Sequence, residues 1–269
     1  DYFTQIDHEP GYNFLKANVP DINVNKLYMD AYNVSATVAG IRVPELNNDI
    51  ENSFYSGSLI TNYVGHGGSA QLAEARLVTI PMIEDLKNAD RLPLFVSATC
   101  DFTPFDDPEF LSAGERMTLN PIGGAIAMMT TTRTVYYSTN TPVVNSFYRN
   151  ALIRNANNSP RTFGEIIMHS KITFGPAGNA DKAAFNLIGD PALKIALPYY
   201  KIVIDSINGK SPALIQDTLR ALTKVSVKAH IEDFAGNVLT NFNGVATPSL
   251  YDKAEQFMKK ITEDGNVSH

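Results

Sequence analysis

Two side chains of this sequence have the types needed for nucleophilic catalysis. His66 stands between glycines in the stretch NYVGHGGSAQL (62–72), and Cys100, the single cysteine of the chain, ends the apolar run LPLFVSATC (92–100). A thiol is a strong nucleophile only as the thiolate, and an adjacent imidazole can take its proton and later protonate a leaving amine. The pair predicts a histidine–cysteine dyad, provided that the fold brings the two residues together.

The same two residues also have structural interpretations, which the sequence leaves open. A glycine-flanked histidine can serve as a backbone hydrogen-bonding group, and a cysteine at a strand end can simply pack in the core. Asp101, Asp106 and Asp107 follow Cys100 and raise the alternative of a zinc or calcium site, although the ligand spacing of neither metal is present. We expect no metal and no cofactor.

Apolar runs and helical patterns predict the elements that would position the dyad. The runs 58–65, 92–99 and 122–130 are apolar on both faces, as strands of a covered parallel sheet are. Helical spacing occurs in TIPMIEDLKNA (79–89), SAGERMTL (112–119), TPVVNSFYRNALIRNA (141–156) and RTFGEIIMHSKITF (161–174). Ser112 and Glu115 match a capping box at the start of the second of these helices. Alternating strands and helices predict a parallel sheet with helices on its faces.

The predicted topology brings His66 and Cys100 to one edge of this sheet. His66 follows the strand 58–65, and Cys100 follows the strand 92–99. A single helical crossover between two strands commonly makes them parallel neighbours, and ligands of such sheets bind outside the carboxyl ends of the strands. The two side chains are therefore expected at the same edge.

Composition excludes several other classes of protein. The chain has 269 residues with a formal net charge of -6, and its Lys and Arg residues are scattered, so the basic patch of a nucleic-acid binder is missing. No apolar run approaches the roughly 20 residues of a membrane span. The sequence opens at Asp1 without a signal peptide, and we expect a processed or excised piece of a longer protein.

The pattern changes near residue 198. The segments YKIVIDSI (200–207), TKVSVKAHIED (223–233) and GVATPSLYDK (244–253) alternate apolar and polar residues and are separated by glycine-containing turns. This pattern is typical of antiparallel strands in a sandwich, here with few strands and therefore incomplete. The sequence thus predicts an α/β domain over residues 1–198 and a β domain over residues 199–269.

Long motifs of the chain resemble the gingipain-like cysteine peptidases. The resemblance spans about residues 23–253 and rests on NYVGHGG, LPLFVSATCDFTPFDDPE, SAGERMTLNPIGGAIAMMTTTRTVYYSTN and FNLIGDPALKIALP. It is strongest to the branch formed by the C-terminal signal peptidases of the type IX secretion system (PorU-like). The resemblance implies a caspase-like α/β fold, a dyad of His66 and Cys100, and an immunoglobulin-like domain after the peptidase domain. Asp7 and Glu9 are the candidates for a third catalytic group.

The dyad positions define the expected substrate contacts. The backbone N–H groups of Gly67 and Cys100 are the expected oxyanion donors. Val64 and Ala98 precede the dyad members by two residues, so strand alternation aims them at the pocket for the residue before the scissile bond, P1. The resemblance adds Tyr136 as a lid over that pocket. These small apolar walls predict cleavage after Gly, Ala or Ser rather than after Arg or Lys.

The resemblance implies a function as well as a fold. It predicts a cysteine endopeptidase that removes C-terminal sorting domains from secreted proteins through a thioester acyl-enzyme. Transfer of the acyl group to an amine of surface lipopolysaccharide is an open alternative to hydrolysis. The expected location is the cell surface, peripheral to the bacterial outer membrane, or the extracellular space, with an outer-membrane anchoring protein as a further partner. The competing interpretation is a catalytically silent surface-binding module on the same scaffold.

Overall fold

A mostly parallel sheet organises the part of the chain that carries the dyad. The structure is a computed structural model that describes residues 9–38, 40–173, 180–214 and 222–248. The chain divides into two units between Ala196 and Leu197, and each unit is described by itself. This division lies two residues before the predicted boundary, and the assignment of the two domains stays a prediction.

The elements of the first unit alternate between helices and strands. Its helices are α1 (Glu9–Asn18), α2 (Pro44–Ser56), α3 (Ile80–Asp85), α4 (Ala113–Leu119), α5 (Tyr137–Ala151), α6 (Phe163–Thr173) and α7 (Ala180–Ala184). Its strands are β1 (Ser35–Thr37), β2 (Gly40–Arg42), β3 (Ile60–Val64), β4 (Gly67–Gly68), β5 (Gln71–Leu72), β6 (Val78–Thr79), β7 (Leu94–Ala98), β8 (Ala127–Thr131) and β9 (Phe185–Ile188). None of the helices in the described part of the chain has the length and apolar character of a membrane span.

The central sheet has the strand order β3-β7-β8-β9. β7 pairs in parallel with both β3 and β8, and β9 pairs antiparallel with β8. Every residue of β7 and β8 is buried, as expected for strands that are covered on both faces. The prediction of a mostly parallel sheet with flanking helices is confirmed.

One core cluster fills the space between the sheet and two of its helices. Phe95 of β7 and Met128 of β8 pack with Ile83 of α3 and Met117 of α4, all of them buried. Phe95 also stacks on Phe102, which follows the strand, with ring centroids 6.1 Å apart. This packing fixes the chain immediately beyond the carboxyl end of β7.

The largest shortening relative to the predicted bounds occurs in two elements, next to Gly124 and Asn88. The strand predicted from residue 122 begins only at Ala127, since Gly124 has φ +91 and a Cβ there would lie 2.0 Å from the Met117 carbonyl oxygen. The helix predicted over 79–89 ends at Asp85. Beyond it, the buried Asn88 side chain accepts from Gly124 N at 2.8 Å.

The second unit contains an antiparallel strand pair. β10 (Lys201–Ile207) pairs with β11 (Val227–Glu232), with a register shift between Ile204 and Ser206. Residues 244–248 of the third predicted strand form neither helix nor strand, and residues 249–253 lie outside the described residues. The immunoglobulin-like assignment of this unit stays a prediction.

The predicted capping box is present at the start of α4. Ser112 Oγ accepts from Glu115 N at 3.3 Å, and the Glu115 carboxylate accepts from Ser112 N at 2.9 Å. Replacing Ser112 by alanine removes this acceptor, and we expect it to lower the free energy of unfolding by about 1–2 kcal/mol. Urea denaturation measures this loss. Glu115→Gln keeps a side-chain acceptor and should cost less, and a Ser112→Ala protein as stable as the wild type would contradict the assignment.

Candidate active site

His66 and Cys100 leave neighbouring parallel strands at the same edge of the sheet. Val64 of β3 is in register with Ala98 of β7, and Gly65 N donates to Ala98 O at 3.3 Å. Each dyad residue lies two positions beyond this registered pair. The structure therefore brings the two predicted residues to one end of one strand pair, which is the placement that the sequence predicts.

The backbone at His66 is held by two hydrogen bonds. Its carbonyl oxygen accepts from Tyr63 Oη at 2.6 Å and from Ala73 N at 2.9 Å. Burial raises the pKa of Tyr63 well above its ordinary value, so the phenol remains a donor at neutral pH. His66 itself is exposed. A fixed backbone with a solvent-accessible imidazole suits a group that exchanges protons with a substrate.

The turn after His66 lies directly against the residue that precedes Cys100. A Cβ built on Gly67 would lie 2.6 Å from Thr99 Oγ1 and 3.1 Å from Leu72 Cδ2. Thr99 Oγ1 is buried and has no hydrogen-bond partner among the described residues. Glycine is therefore required at position 67 for this close approach, as its place in the sequence predicts.

The small sheet of β4, β5 and β6 orients the Gly67 backbone. Gly67 is opposite Leu72 in an antiparallel pair, and the bond from Ala73 N to His66 O marks the adjacent pair as the hydrogen-bonded one. Hydrogen-bonded and non-hydrogen-bonded pairs alternate in such a ladder. The N–H of Gly67 therefore points away from β5, as an oxyanion donor in this loop must.

Cys100 is half-buried and begins a strained turn. Its Sγ donates to Val135 O, in the loop after β8, at 3.5 Å. The next residue, Asp101, has φ +46, in the left-handed region that non-glycine residues rarely adopt. The Asp101 carboxylate accepts from Thr134 Oγ1 at 2.6 Å, which holds this conformation. Such local strain is commonly found where a side chain must be presented to a ligand.

The helix α4 supports both loops of the site. Ala113 N donates to Ser69 O at 2.7 Å, in the loop that follows the histidine. Gly114 N donates to Phe102 O at 3.2 Å, in the loop that follows the cysteine. The first turn of one helix thus connects the two loops that carry the dyad.

Two further polar residues, which the sequence interpretation missed, hold the end of β7. Asn140 Nδ2 donates to Ala98 O at 3.2 Å, and Thr131 Oγ1 donates to Thr99 O at 2.5 Å. Both side chains are buried. They fix the two carbonyl groups that immediately precede Cys100. A polar residue within an apolar pattern was the only sequence signal available for them.

The three predicted pocket residues differ in exposure. Val64 is 6% exposed and Ala98 is 0% exposed, as core residues are, whereas Tyr136 is 77% exposed at the start of α5. Tyr136 N donates to the Asp181 carboxylate at 3.2 Å. The pocket role of these residues stays a prediction, and for Ala98 it requires neighbouring side chains to move, because its side chain has no solvent contact.

Asp101 and Asp106, which follow Cys100, form pairs with other side chains, and Asp107 accepts from the backbone N–H of Glu109. Asp106 forms a bidentate ion pair with Arg133, with Nη1 to Oδ1 at 2.9 Å, and this hydrogen-bonded partner lowers the pKa of Asp106. Across the described residues, no three His, Cys, Asp or Glu side chains are arranged to hold a metal ion.

One of the two candidates for a third catalytic group can be placed. Glu9 begins α1, and its Oε1 accepts from Lys26 Nζ at 2.7 Å and from Tyr28 Oη at 3.0 Å. Asp7 lies outside the described residues. The third group therefore stays a prediction.

Comparisons with known proteins identify one family and several similar solved structures. The model of a family described as Peptidase family C25 matches residues 4–196. No curated protein sequence matches the chain. The solved structure of the Arg-specific cysteine proteinase gingipain R (RGPB) is similar, with 18% identity, a TM-score of 0.50, and 59% of this chain and 39% of that chain covered. A complex of Porphyromonas gingivalis RgpB pro- and mature domains gives 16% identity, a TM-score of 0.49, and coverages of 59% and 40%.

At 18% identity, the similarity to gingipain R shows the fold alone. That fold is the α/β fold of the gingipain type. The family match covers most of the chain, and the chain belongs to peptidase family C25. The predicted membership of the gingipain-like peptidase family is thereby confirmed. The chain spans about two fifths of the length of gingipain R.

Proposed function

We propose that this chain carries the catalytic centre of a cysteine endopeptidase, with Cys100 as the nucleophile and His66 as the proton-transfer group. The observation that carries the proposal is the register of Val64 with Ala98, which places both residues two positions beyond one strand pair. Membership of family C25 supports the same assignment.

The reaction follows from the positions of these groups. The Cys100 thiol gives its proton to His66 and turns away from Val135 O, its hydrogen-bond acceptor in this structure, toward the scissile carbonyl. The oxyanion of the tetrahedral intermediate accepts from the N–H groups of Gly67 and Cys100. His66 then protonates the leaving amine, and the acyl group remains on sulfur as a thioester. An incoming water or amine, deprotonated by His66, releases it.

The finer function rests on the sequence resemblance to the type IX secretion peptidases. This finer function is the removal of C-terminal sorting domains from secreted proteins at the cell surface. In the second half-reaction, the acyl group is transferred either to water or to an amine of lipopolysaccharide. Both outcomes use the same acyl-enzyme, so the nature of the acceptor distinguishes them. Mass spectrometry of the product formed with and without an added amine separates the two.

The P1 preference gives the most direct test of the endopeptidase. Small apolar groups at Val64 and Ala98 offer a long cation no partner, and its desolvation costs several kcal/mol. A P1-varied peptide library should therefore show at least about tenfold higher kcat/KM for Gly, Ala or Ser than for Arg. Cys100→Ala protein provides the blank. Preferred cleavage after Arg would contradict the pocket assignment, and no cleavage of any peptide would favour a silent binding module.

A further inference from the structure

The short strand β4 has a free edge next to the histidine of the dyad. It comprises Gly67 and Gly68, directly after His66. Its sheet has the strand order β4-β5-β6, and among the described strands only β5 pairs with β4. An unpaired strand edge presents backbone N–H and C=O groups to which another extended chain can form hydrogen bonds.

Both backbone hydrogen-bonding groups of Gly67 lie on this free edge. Gly67 and Leu72 form a non-hydrogen-bonded pair, because Ala73 N donates to His66 O at 2.9 Å in the adjacent pair. Leu72 O accepts from Leu77 N at 2.9 Å, on the side of β6, so the polar groups of Leu72 face away from β4. The carbonyl oxygen of Gly67 therefore points away from β5, as its N–H does.

The two glycines leave this edge open to a second main chain. A Cβ built on Gly68 would meet no atom within 4 Å, so open space lies beside it. Glycines within a strand often mark a site where a ligand or another backbone approaches closely. A Cβ on Gly67 would lie 2.6 Å from Thr99 Oγ1, so β4 packs tightly on the residue that precedes Cys100. The open edge is thus fixed in position beside the nucleophile.

The position of His66 gives the direction in which a substrate runs along this edge. His66 precedes Gly67 in the chain, and it protonates the leaving amine in the proposed mechanism. The leaving amine follows the scissile carbonyl, so the substrate runs from its carbonyl at Gly67 toward His66. The substrate is therefore antiparallel to β4. In an antiparallel pair, two opposite residues can exchange both of their backbone hydrogen bonds.

We propose that Gly67 binds the P1 residue of the substrate through both of its backbone groups. Its N–H donates to the P1 carbonyl oxygen, which becomes the oxyanion, and its carbonyl oxygen accepts from the P1 N–H. This inference rests on the proposed peptidase function, since it takes the direction of the peptide from the role of His66. It goes beyond that function, because it assigns a backbone contact that holds the peptide in register at Cys100, independently of the P1 side chain.

The test removes the P1 N–H without changing the size of the residue. L-Lactate in place of Ala at P1 replaces this N–H by an ester oxygen and leaves the scissile amide intact. Wild-type protein should cleave the lactate peptide with at least about tenfold lower kcat/KM than the Ala peptide, because a donor is lost and two acceptors then face each other. The same replacement at P2′, the second residue after the scissile bond, should have no effect. Mass spectrometry of the products identifies the bond that is cleaved.

Variants of the two glycines assign the effect to the edge of β4. In Gly68→Ala, whose methyl group meets no atom, the ratio of kcat/KM for the Ala and lactate peptides should keep its wild-type value. In Gly67→Ala, the methyl group displaces the loop, so both peptides are cleaved slowly and the ratio should fall to about threefold or less. The intrinsic effect of the ester on reactivity is the same in every variant and cannot produce this change.

Equal rates for the Ala and lactate peptides with wild-type protein would overturn the proposal, as would an unchanged ratio in Gly67→Ala. A loss for the P2′ ester alone would also overturn it, because a substrate parallel to β4 presents the P2′ N–H to Gly67 O. If no peptide is cleaved, the proposed function fails, and fluorescence anisotropy with Cys100→Ala protein still tests the edge. A labelled Ala peptide that then binds no more tightly than the lactate peptide would refute the proposal.

Discussion

Replacing Cys100 by alanine is expected to reduce kcat/KM for a cleavable peptide by about 10⁴-fold or more, to the level of the blank. Cys100 is the single cysteine of the chain, and no other thiol can replace its nucleophile. His66→Ala should cause a loss of similar size, since the thiol then has no neighbouring base. The rate losses caused by removing members of one catalytic unit are not additive, so the double variant should be no slower than either single variant.

Alkylation of Cys100 separates a catalytic pair from two unrelated residues. An activated thiol reacts quickly with iodoacetamide below pH 7, whereas a packing cysteine reacts slowly. His66→Ala should slow this reaction, and His169→Ala, on helix α6, should leave it unchanged. If Cys100 is alkylated at the same rate in the wild type and in His66→Ala, the dyad is contradicted. This test does not require a cleavable peptide.

The sequence predicts the central sheet because three of its strands lie within mostly apolar runs. The runs that became β3, β7 and β8 are apolar on both faces, a pattern that few other elements share. The strands β4, β5 and β6 have two residues each, too few to show any periodicity. β9 was missed because it lies within a segment that was identified only through its likeness to a family motif. Its antiparallel pairing with β8 follows from tertiary contacts.

The dyad was predictable for a different reason from the rest of the site. A single cysteine and a histidine between glycines are visible as residue types, and the strand pattern places them at one edge. No comparable sequence signal identifies Asn140 or Asp181 as a residue that supports the site. Asn140 becomes relevant only when α5 packs on the end of β7, where it donates to Ala98 O at 3.2 Å. Asp181 reaches Tyr136 across 45 positions of the chain.

Gly67 is the position beside the dyad at which a single added methyl group should lower the catalytic rate. Its N–H points away from β5 and is the proposed partner of the oxyanion. A Cβ there would lie 2.6 Å from Thr99 Oγ1, 3.1 Å from Leu72 Cδ2 and 3.3 Å from Gln71 O, so the loop must shift. Loss of one oxyanion donor commonly costs about 10²–10³ in kcat. We expect a loss of this size for Gly67→Ala, measured with the best peptide of the P1 library.

The neighbouring glycine provides the matched control for this prediction. A Cβ on Gly68 would meet no atom within 4 Å, and Gly68→Ala should keep wild-type activity. Thr99→Ala removes the oxygen that makes the shortest contact, and that oxygen has no hydrogen-bond partner among the described residues, so this change alone should cost little. Combined with Gly67→Ala, it leaves the 3.1 Å contact with a Leu72 methyl group and the 3.3 Å contact with Gln71 O, which shifts of a few tenths of an ångström relieve. Activity should then recover by at least about tenfold. Equal activity of Gly67→Ala and the wild type would show that the Gly67 N–H does not bind the oxyanion. A double variant as slow as Gly67→Ala would show that the loss of activity does not arise from the contact with Thr99 Oγ1.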